Sequence, residues 1–413
     1  MAPIVFIIGS GWAGYTVARS LDSTKYDVTV ISPEPTTPIT PLLASAACGQ
    51  FSLALAEEPI RRKQSNVRYR KAFVKRIDLE RRTCHCESSC DVGGKAGFEI
   101  AYDYLVLAPG CVANTFNTPG APEHAFFVKN VRDAAAIRAR IFDQFEAASL
   151  PNVSAEECKG LLHFVVVGGG PTGVELAAEL YDLMKDDLTY MYPEVAKYAT
   201  VAIHDVAPGI LSPFDEKLKE HAMASFKHRE VAIKTGSHIE KVGRSSLHTK
   251  EDGEIPCGMV VWATGNKQCP LVDSLELSKA DGLPRLLTDD CLRPLDINGS
   301  PLDHVFAIGD AADIQDGSLP TTAEVATQKG EHVAKMLNTD QRLPFEYKQH
   351  AMIAYIGDQD GVIAGREDWT GASAWLAWRR KNLQWARGWR TKVMLVMTWF
   401  LNSLYGKEVA RKR

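Results

Sequence analysis

Two short runs of apolar, mostly β-branched residues each lead directly into a glycine-rich turn. The first run is Ile4–Ile8 and the second spans residues 164–167. Uninterrupted apolar runs of this length are typical of strands buried on both faces of a parallel sheet. After each turn, apolar residues recur at helical spacing. The order strand, turn, helix, present twice, predicts an α/β protein with two Rossmann-like units.

The two turns share the spacing GxGxxG, at residues 9–14 and 168–173. In such a turn the first glycine permits a tight bend, and the second lets the backbone approach a pyrophosphate. The third lets helix and strand pack closely, with the phosphates at the helix N-terminus. One such motif is weak evidence, but two in this context predict two dinucleotides, of which FAD and NAD(P)H are the commonest pair. The candidate contacts are Gly9, Gly11, Trp12, Ala13 and Gly14 for FAD, and Gly168, Gly170, Pro171, Thr172 and Gly173 for NADH.

The remaining pattern predicts how the chain divides. A second strand is expected at 28–31 in the first unit and at 199–203 in the second, a crossover helix at 126–148 and a late helix at 321–337. Three further strands end in tight glycine turns, and these turns supply further candidate cofactor contacts: Ala108, Gly110, Thr264, Gly265, Gly309 and Asp310. We expect an FAD-binding domain in two parts (1–125 and 286–340), an inserted NADH-binding domain (126–285) and a C-terminal helical, membrane-associating region (341–413).

Acidic residues near the ends of the second strands are candidates for holding the two riboses. Asp205 directly ends the second strand of the second unit, where a carboxylate would accept from ribose hydroxyls and repel a 2′-phosphate. Such a carboxylate would favour NADH over NADPH. The alternative is that Asp205 is an exposed acid that follows a strand. Glu34 in the first unit lies slightly late, and a solvated loop residue is an equal alternative. Thr40 and Pro41, in the Pro/Thr-rich loop that follows, are further candidates for FAD contact.

The late helix is expected to begin near Thr322 and Ala323, so that its N-terminus points toward the flavin ring. A plain surface helix is the alternative. Glu175 lies close to the second glycine turn and is the candidate catalytic carboxylate that positions the nicotinamide or relays a proton. The alternative for Glu175 is a charge that complements the helix dipole.

Composition narrows the functional class. The chain has 413 residues, 45% of them hydrophobic, and a net charge of −4, which argues against nucleic acid as a partner. Nine cysteines indicate a reducing compartment rather than a disulfide framework. Cys84, Cys86 and Cys90 with His85 suggest zinc, but CxxC pairs are missing, and a hairpin with reduced thiols is favoured.

Basic and tryptophan residues accumulate at the C-terminus. Residues 379–413 hold ten Lys or Arg and one acidic residue, and six of the eight tryptophans follow residue 368. Trp385, Trp389, Lys392, Val393 and Val396 are expected to fall on one helical face. This mixture is typical of an interfacial helix at a membrane surface, with a homodimer interface or a core helix as alternatives. The apolar run at 393–401 is too short to cross a bilayer. No cleavable targeting peptide is expected, because the first strand begins at residue 4.

These residues resemble the type II NADH:quinone dehydrogenases, the single-subunit, non-proton-pumping enzymes of respiratory chains. The similarity runs nearly end to end and is most specific at 166–175. It also covers 9–12, 102–105, 214–218, 262–266 and 306–310. The resemblance implies non-covalent FAD, NADH as donor, Glu175 as the cleft glutamate and Asp205 as the ribose-binding acid. It further implies a quinone as acceptor and a monotopic membrane anchor in the basic tail, facing cytosol or mitochondrial interior.

One stretch departs from the family pattern. The family's late helix carries two glutamines that line the quinone pocket; here Gln328 keeps its place but Glu324 replaces the first. A carboxylate accepts hydrogen bonds and donates none unless protonated, which leaves the acceptor open. The alternatives are a soluble relative with another acceptor, such as a quinone-like specialised metabolite or oxygen, and an NADH-responsive flavoprotein resembling apoptosis-inducing factor.

Overall fold

The computed structural model describes residues 2–63, 66–90, 96–365, 368–407 and 409. In chain order the strands are β1 (Ile4–Ile8), β2 (Asp27–Ser32), β3 (Thr36–Pro38), β4 (Glu57–Pro59), β5 (Arg68–Asp78), β6 (Thr83–Ser88), β7 (Gly97–Ala101), β8 (Tyr104–Leu107), β9 (Cys111–Ala113), β10 (Phe126–Phe127), β11 (His163–Val167), β12 (Thr200–Asp205), β13 (Ala232–Thr235), β14 (Ile239–Val242), β15 (Ser246–Thr249), β16 (Gly253–Pro256), β17 (Met259–Trp262), β18 (Asn266–Gln268), β19 (Leu286–Thr288), β20 (Val305–Ala307), β21 (Ala312–Ile314), β22 (Met352–Gly357), β23 (Asp360–Ala364) and β24 (Trp369–Thr370).

The α-helices are α1 (Trp12–Ser20), α2 (Leu43–Ala47), α3 (Ala121–His124), α4 (Val131–Ala148), α5 (Ala155–Leu161), α6 (Pro171–Leu183), α7 (Thr189–Met191), α8 (Glu216–His228), α9 (Pro270–Asp273), α10 (Ala323–Thr339), α11 (Ala372–Trp385) and α12 (Trp389–Tyr405).

The chain forms two compact units, each assembled from separate segments. The first unit comprises 1–38, 58–112 and 266–348, and the second comprises 39–57, 113–265 and 349–413. The first unit thus takes 266–285, which the sequence analysis had placed with the NADH-binding residues. The second unit takes the short segment 39–57 and the C-terminal residues.

The first unit is built on a seven-stranded sheet in the order β20-β8-β1-β2-β5-β6-β7. The strands from β20 to β5 pair in parallel, and β6 and β7 continue the sheet antiparallel. Helix α1 packs against α10 beside this sheet. The apolar side chains of β1 and β8 are buried, as expected of central parallel strands.

Cys84 and Cys86 on β6 point to the same face of the strand and join the hydrophobic core of the first unit. His85 points to the opposite face and contacts Glu99, while Cys90 is exposed. Because side chains alternate along a strand, the two buried sulfurs and the histidine ring cannot share one metal ion. Burial raises the pKa of Cys86 to about 11, so its thiol stays protonated.

The second unit is built on a five-stranded parallel sheet in the order β10-β17-β11-β12-β13. A three-stranded antiparallel sheet, β14-β15-β16, and another, β22-β23-β24, complete its strands. The expected helix at 126–148 was too long at its start, because Phe126 and Phe127 pair with β17 at the sheet edge. Helix α4 begins after Asn130, whose side chain forms a reciprocal capping box with Asp133.

The predicted fold class, α/β with two Rossmann-like units and C-terminal helices, is confirmed by this architecture. Helices α11 and α12 follow the last small sheet within the second unit. Among the helices formed by the described residues, none combines the length and the hydrophobicity of a transmembrane span.

Candidate functional site

The first glycine turn joins β1 to α1 in the first unit. Gly9 adopts φ +101°, and a Cβ there would overlap the carbonyl oxygen of Ala108. A Cβ on Gly14 would overlap the Gly9 carbonyl, so the helix can follow the strand this closely only with glycine there. At Gly11, by contrast, a Cβ would meet nothing within 4 Å. The open space lies at the N-terminus of α1, where backbone N–H groups are left for an anion.

The second glycine turn, between β11 and α6 in the second unit, repeats this geometry. Gly168 adopts φ +115°, and its Cβ would lie 2.9 Å from the Ala263 carbonyl oxygen. A Cβ on Gly173 would overlap the Gly168 carbonyl, and one on Gly170 would again meet nothing within 4 Å. Pro171, exposed, takes the first position of α6, where its missing N–H costs nothing.

The end of the second strand differs between the two units. Gly9 N donates to Ile31 O and Gly168 N donates to His204 O, both at 2.8 Å, so Ser32 and Asp205 occupy equivalent positions. Asp205 is half-buried and accepts from Gly169 N and, at 2.8 Å, from Ala207 N. Its carboxylate therefore stands against the second glycine turn.

Glu34 lies two residues beyond Ser32, and the serine takes the position that the acid was expected to approach. The Ser32 hydroxyl accepts from Ser10 Oγ at 2.9 Å and from Glu34 N at 3.2 Å. The Glu34 side chain is half-buried in this loop. Thr40 and Pro41 begin a short 3₁₀ helix that belongs to the second unit. The glycines of the first turn belong to the first unit.

Three neighbouring parallel strands of the first unit bring other predicted residues to one sheet edge. β1, β8 and β20 are adjacent, so Gly9, the turn from Ala108 to Gly110, and Asp310 follow carboxyl ends on the same side. Asp310 is half-buried; its Oδ2 accepts from Cys111 Sγ at 3.2 Å. Its carbonyl accepts from Gln268 Nε2 at 3.1 Å. In the second unit Thr264 and Gly265 take the corresponding place after β17, and Thr264 lies beside Gly168.

Helix α10 begins as the sequence predicts. Thr322 is its N-cap, and the threonine side chain accepts from Val325 N at 3.3 Å, while Ala323 is the first helical residue. Gly309, which precedes Asp310, lies so close to α1 that a Cβ there would be 3.2 Å from the Ala13 Cβ. The middle of α10 also packs against α1, because a Cβ on Gly330 would lie 2.8 Å from the Ala13 carbonyl oxygen.

Gln328 and Glu324 occupy successive turns of α10. The Gln328 amide is fully engaged, because Nε2 donates to Lys348 O at 2.9 Å and Oε1 accepts from Lys348 N at 3.0 Å. Nε2 also lies 3.4 Å from Glu324 Oε1. The Glu324 charge, together with burial, raises the pKa of the nearby Tyr347.

Glu175, the fifth residue of α6, is held by partners from the C-terminal part of the second unit. Its Oε1 accepts from Trp378 Nε1 at 3.1 Å and from Tyr355 N at 3.3 Å. Burial raises the pKa of Glu175 to about 8, against the opposing effect of these two hydrogen bonds. At neutral pH the side chain is therefore mostly a carboxylic acid, able to donate as well as accept.

The C-terminal tryptophans divide into two groups. Trp378 is buried and stacks on Tyr355, and the Arg379 guanidinium lies 4.3 Å from the Trp375 ring and 4.9 Å from the Trp399 ring. Trp389, in contrast, is 77% exposed at the start of α12. The expected single helical face containing both Trp385 and Trp389 does not exist, because α11 ends at Trp385 and a new helix begins at Trp389.

Helix α12 presents a long apolar surface to solvent. It contains no acidic residue. Its large exposed apolar side chains are Val393, Met394, Val396, Met397, Phe400, Leu401, Leu404 and Tyr405. Three of the basic residues counted in the tail, Arg411, Lys412 and Arg413, lie outside the described residues.

Comparison with known proteins identifies the family of the chain. The family model for pyridine nucleotide-disulphide oxidoreductases matches residues 3–330. The chain belongs to this family. A probable NADH dehydrogenase of Dictyostelium discoideum is 34% identical over 98% of this chain and 90% of its own length.

Other relatives agree. The Arabidopsis thaliana protein named external alternative NAD(P)H-ubiquinone oxidoreductase B2, mitochondrial, is 40% identical over 75% of this chain and 54% of its own length. Among solved structures, NDH2 from Plasmodium falciparum in complex with NADH gives a TM-score of 0.92 over the whole of both chains at 24% identity, a likeness of fold. The predicted resemblance to the type II NADH dehydrogenases is thereby confirmed.

Within this oxidoreductase, sequence reasoning missed the groups that surround Glu175. Tyr355 and Trp378 lie about 180 and 200 positions further along the chain. Tyr355 also donates from its hydroxyl to Asp182 Oδ2 at 2.5 Å. A usable signal was the carboxylate spacing in α6, since Glu175, Glu179 and Asp182 are placed to share one helical face.

Proposed function

We propose that this chain is a FAD-dependent oxidoreductase that oxidises NADH and reduces a quinone without pumping protons. The observation that carries the proposal is the duplicated turn, in which Gly11 and Gly170 each leave open space at a helix N-terminus. Two such cradles fit two dinucleotides. The relatives named NADH dehydrogenase and NAD(P)H-ubiquinone oxidoreductase support the substrate pair. FAD, when bound, supplies the two-electron redox centre for this reaction.

The first unit carries the groups that would hold FAD. The Gly9–Gly14 turn would bind the pyrophosphate through backbone N–H groups, and Asp310 would accept from hydroxyls of the ribityl chain. The N-cap at Thr322 leaves the first N–H groups of α10 available to stabilise negative charge on a reduced flavin ring. Ser32, rather than Glu34, stands where the adenosine ribose is expected.

The second unit carries the groups that would hold NADH. Asp205 would accept from the adenosine ribose hydroxyls, and its charge would repel a 2′-phosphate. His204 adds no compensating positive charge, because burial lowers its pKa to about 4 and its Nδ1 lies 2.9 Å from Ser237 Oγ. NADH is therefore the preferred donor.

Glu175 would act at the nicotinamide end of the same site. It is the fifth residue of the helix opened by the glycine turn, and its raised pKa keeps it mostly protonated near neutral pH. In that state it can donate a hydrogen bond or a proton. Exchange of Glu175 for Gln keeps hydrogen bonding but removes proton transfer, so FAD should stay bound while turnover with NADH and quinone falls.

On the acceptor side, α10 contributes Glu324 and Gln328. The Gln328 amide bonds to the Lys348 backbone, and its nitrogen also lies 3.4 Å from Glu324 Oε1, so a quinone at this helix would meet a carboxylate beside an amide. We propose that the quinone is recognised from this helix with a different polarity from the two-glutamine pattern of the family. Helix α12 would hold the enzyme on a membrane surface, and the mitochondrial relatives make a mitochondrial membrane the first candidate.

Stopped-flow spectroscopy of the flavin tests the proposal. The purified holoprotein is mixed with NADH or NADPH, and the reduced enzyme is then mixed with a panel of quinones or with oxygen-saturated buffer. We expect fast bleaching with NADH, slow bleaching with NADPH, and fast reoxidation by a quinone. A colourless protein that takes up no flavin contradicts the proposal. Fast reduction followed by slow reoxidation with every quinone favours the soluble or signalling alternatives.

A further inference from the structure

Helix α6 carries three acidic residues on one face, and the mechanism above uses only the first. Glu175, Glu179 and Asp182 are four and then three positions apart, so their side chains lie one above the other along the helix. Glu179 is 2% exposed and Asp182 is 6% exposed. Carboxylates are rarely buried in a row, because each one disfavours ionisation of the next.

Glu179, the middle carboxylate, is held in place by two neutral partners of the second unit. Its Oε1 accepts from Ser45 Oγ at 2.6 Å, and its Oε2 accepts from Gln50 Nε2 at 2.9 Å. Burial raises the pKa of Glu179 to about 7, so its protonated and ionised forms are both populated at neutral pH. A group in this range can receive and release a proton in each turnover.

Tyr355 ties the two ends of the row together. Its backbone N–H donates to Glu175, and its hydroxyl donates to Asp182 at 2.5 Å. Burial raises the pKa of Asp182, and the Asp358 backbone N–H, 3.2 Å from Oδ1, opposes this rise. The tyrosine therefore aligns the carboxylates along one side of the helix.

A cavity of about 270 Å³ in the second unit reaches Glu179 and Asp182 from the surface. Glu179, Asp182 and Tyr355 line it, together with exposed Asp186 and Ser403 at its rim. This volume is enough for several water molecules, and the polar walls provide hydrogen-bond partners for them. Water filling this cavity would connect Asp182 and Glu179 with bulk solvent.

Other charged and titratable groups face the row from the elements packed around it. Glu179 or Asp182 interacts electrostatically with each of the following groups: Cys48, Asp186, Arg229, Tyr355, Arg379 and Lys407. Lys407 is itself held by Asp187 at 3.1 Å. Its cation lowers the pKa of Glu179, which acts against burial.

We propose that Asp182 and Glu179 form the proton-uptake route of this enzyme, passing one proton per turnover from the cavity to Glu175. This inference rests on the proposed function. The overall reaction, NADH + H⁺ + quinone → NAD⁺ + quinol, takes its hydride from NADH and one proton from solution. That proton adds to Asp182 from cavity water, passes to Glu179 and then to Glu175, and is released there for protonation of the quinone oxygen, so that each carboxyl group ends the turnover in the state in which it began.

The test compares a proton-consuming acceptor with one that needs no proton. The holoenzyme is assayed with NADH and either a short-chain ubiquinone or ferricyanide, which accepts one electron and no proton. Glu179→Gln and Asp182→Asn should each lower quinone turnover at least about tenfold. Ferricyanide reduction should stay within about twofold, and the solvent deuterium isotope effect on quinone reduction should rise.

Glu146→Gln provides the matched control, because Glu146 accepts from the Tyr192 hydroxyl at 2.8 Å in the same unit but outside the cavity. This variant should behave as wild type with both acceptors. Equal losses with both acceptors in Glu179→Gln and Asp182→Asn would overturn the proposal, as would unchanged quinone turnover. Glu179→Asp, which keeps the titrating group, should recover part of the rate.

Infrared difference spectra of the holoenzyme, reduced minus oxidised, give a readout independent of turnover. C=O bands of protonated carboxylic acids, shifted in D₂O, should be present in wild type and Glu146→Gln, and one component of these bands should be lost in Glu179→Gln. A carboxylic acid spectrum of Glu179→Gln that is identical to that of wild type would overturn the proposal. Failure of wild-type enzyme to oxidise NADH with either acceptor would instead contradict the proposed function, so the two failures are distinct.

Discussion

In the proposed function, one side chain, Asp205, would decide between NADH and NADPH as the donor. Both of its oxygens already accept from backbone N–H groups at the second glycine turn, so the carboxylate is fixed before any nucleotide arrives. A fixed acceptor loses little entropy on binding a ribose diol. The equivalent residue of the first unit, Ser32, is neutral, so the two cradles share their backbone geometry but differ in charge.

Replacing Asp205 with Asn should weaken discrimination between the two donors. The amide keeps the size and one acceptor oxygen but removes the negative charge that opposes a 2′-phosphate. We expect the ratio of kcat/KM for NADH to that for NADPH to fall by about tenfold or more. Steady-state kinetics with both donors measures this ratio, with the exposed Glu220→Gln as control. An unchanged ratio would remove Asp205 from the specificity site.

The raised carboxyl pKa of Glu179 also predicts how stability depends on pH. Its pKa is about 7 in the folded protein and near 4.5 when unfolded, so the folded state binds more protons between these values. Stability linked to this group is therefore complete below about pH 4.5 and is lost as pH rises through 7. The full shift corresponds to at most about 3 kcal/mol.

Thermal unfolding of the holoprotein between pH 5 and pH 8 measures this effect. Glu179→Gln removes the titrating group, so the difference in melting temperature, variant minus wild type, should become more positive as pH rises across this range. The same difference for Glu146→Gln should stay flat. A Glu179→Gln difference that is flat or moves in the opposite direction would mean that the carboxyl is ionised throughout.

At the scale of elements, the sequence pattern predicted those features that residues a few positions apart determine. Strands β1 and β11, both glycine turns and the N-cap at Thr322 follow from runs and spacings within a few positions. The pairing of Phe126 with β17 could not be predicted in this way, because a sheet edge is completed by a strand more than a hundred residues away. The late helix pattern at 321–337 was found, but not its side-chain partners.

The distinction between features set by nearby residues and features set by distant residues also applies to the candidate functional site. The position of Asp205 against the second glycine turn was predictable because it depends only on the strand that Asp205 ends. Tyr355 and Trp378 were not, since nothing in their local sequence indicates that they contact α6. The break between Trp385 and Trp389 was missed because apolar and basic residues continue through it, although Gly388 directly precedes α12. Tertiary contacts, rather than local propensity, decided each of these.

Gly168 and Gly170, both in the second glycine turn, should respond differently to the same substitution. Gly168→Ala places a Cβ 2.9 Å from the Ala263 carbonyl oxygen at φ +115°, a region that alanine rarely adopts, so the folded protein should lose on the order of 1–3 kcal/mol. Gly170→Ala meets no protein atom within 4 Å, so the fold should be retained. Its methyl group would instead occupy space expected for the pyrophosphate.

Thermal unfolding and NADH titration separate these outcomes. Gly168→Ala should melt at lower temperature, whereas Gly170→Ala should melt like wild type but bind NADH at least about tenfold more weakly. FAD content should be unchanged in Gly170→Ala, because the first turn is intact. Normal NADH affinity in Gly170→Ala would show that the pyrophosphate does not approach this turn.

At the scale of the whole molecule, charge and hydrophobicity are separated along the chain. The chain is acidic in sum, whereas α12 contains no acidic residue and begins beside Arg387 and Arg390. Nine of its large apolar side chains are each at least 46% exposed, whereas the exposed apolar residues of a soluble protein are normally scattered singly. An apolar face with basic residues at one end is suited to the headgroup region of an anionic bilayer.

The double substitution Phe400→Glu and Leu404→Glu tests this surface. Both side chains are more than half exposed, so the folded second unit should tolerate the change, while binding to a bilayer should lose the burial of two large apolar groups. Each such group contributes about 1.5 kcal/mol or more, so partitioning should fall at least about a hundredfold for the pair. Ile297→Glu, at an exposed apolar residue of the first unit, is the matched control.

Sedimentation with vesicles of phosphatidylcholine, with and without phosphatidylglycerol, measures the binding. Wild type and Ile297→Glu should sediment with both, more strongly with the anionic lipid, and high salt should remove that extra part but not the binding to neutral lipid. The double variant should remain in solution yet reduce ferricyanide at the wild-type rate. If it instead binds vesicles normally but changes from dimer to monomer in light scattering, α12 is a subunit interface and the membrane contact lies elsewhere.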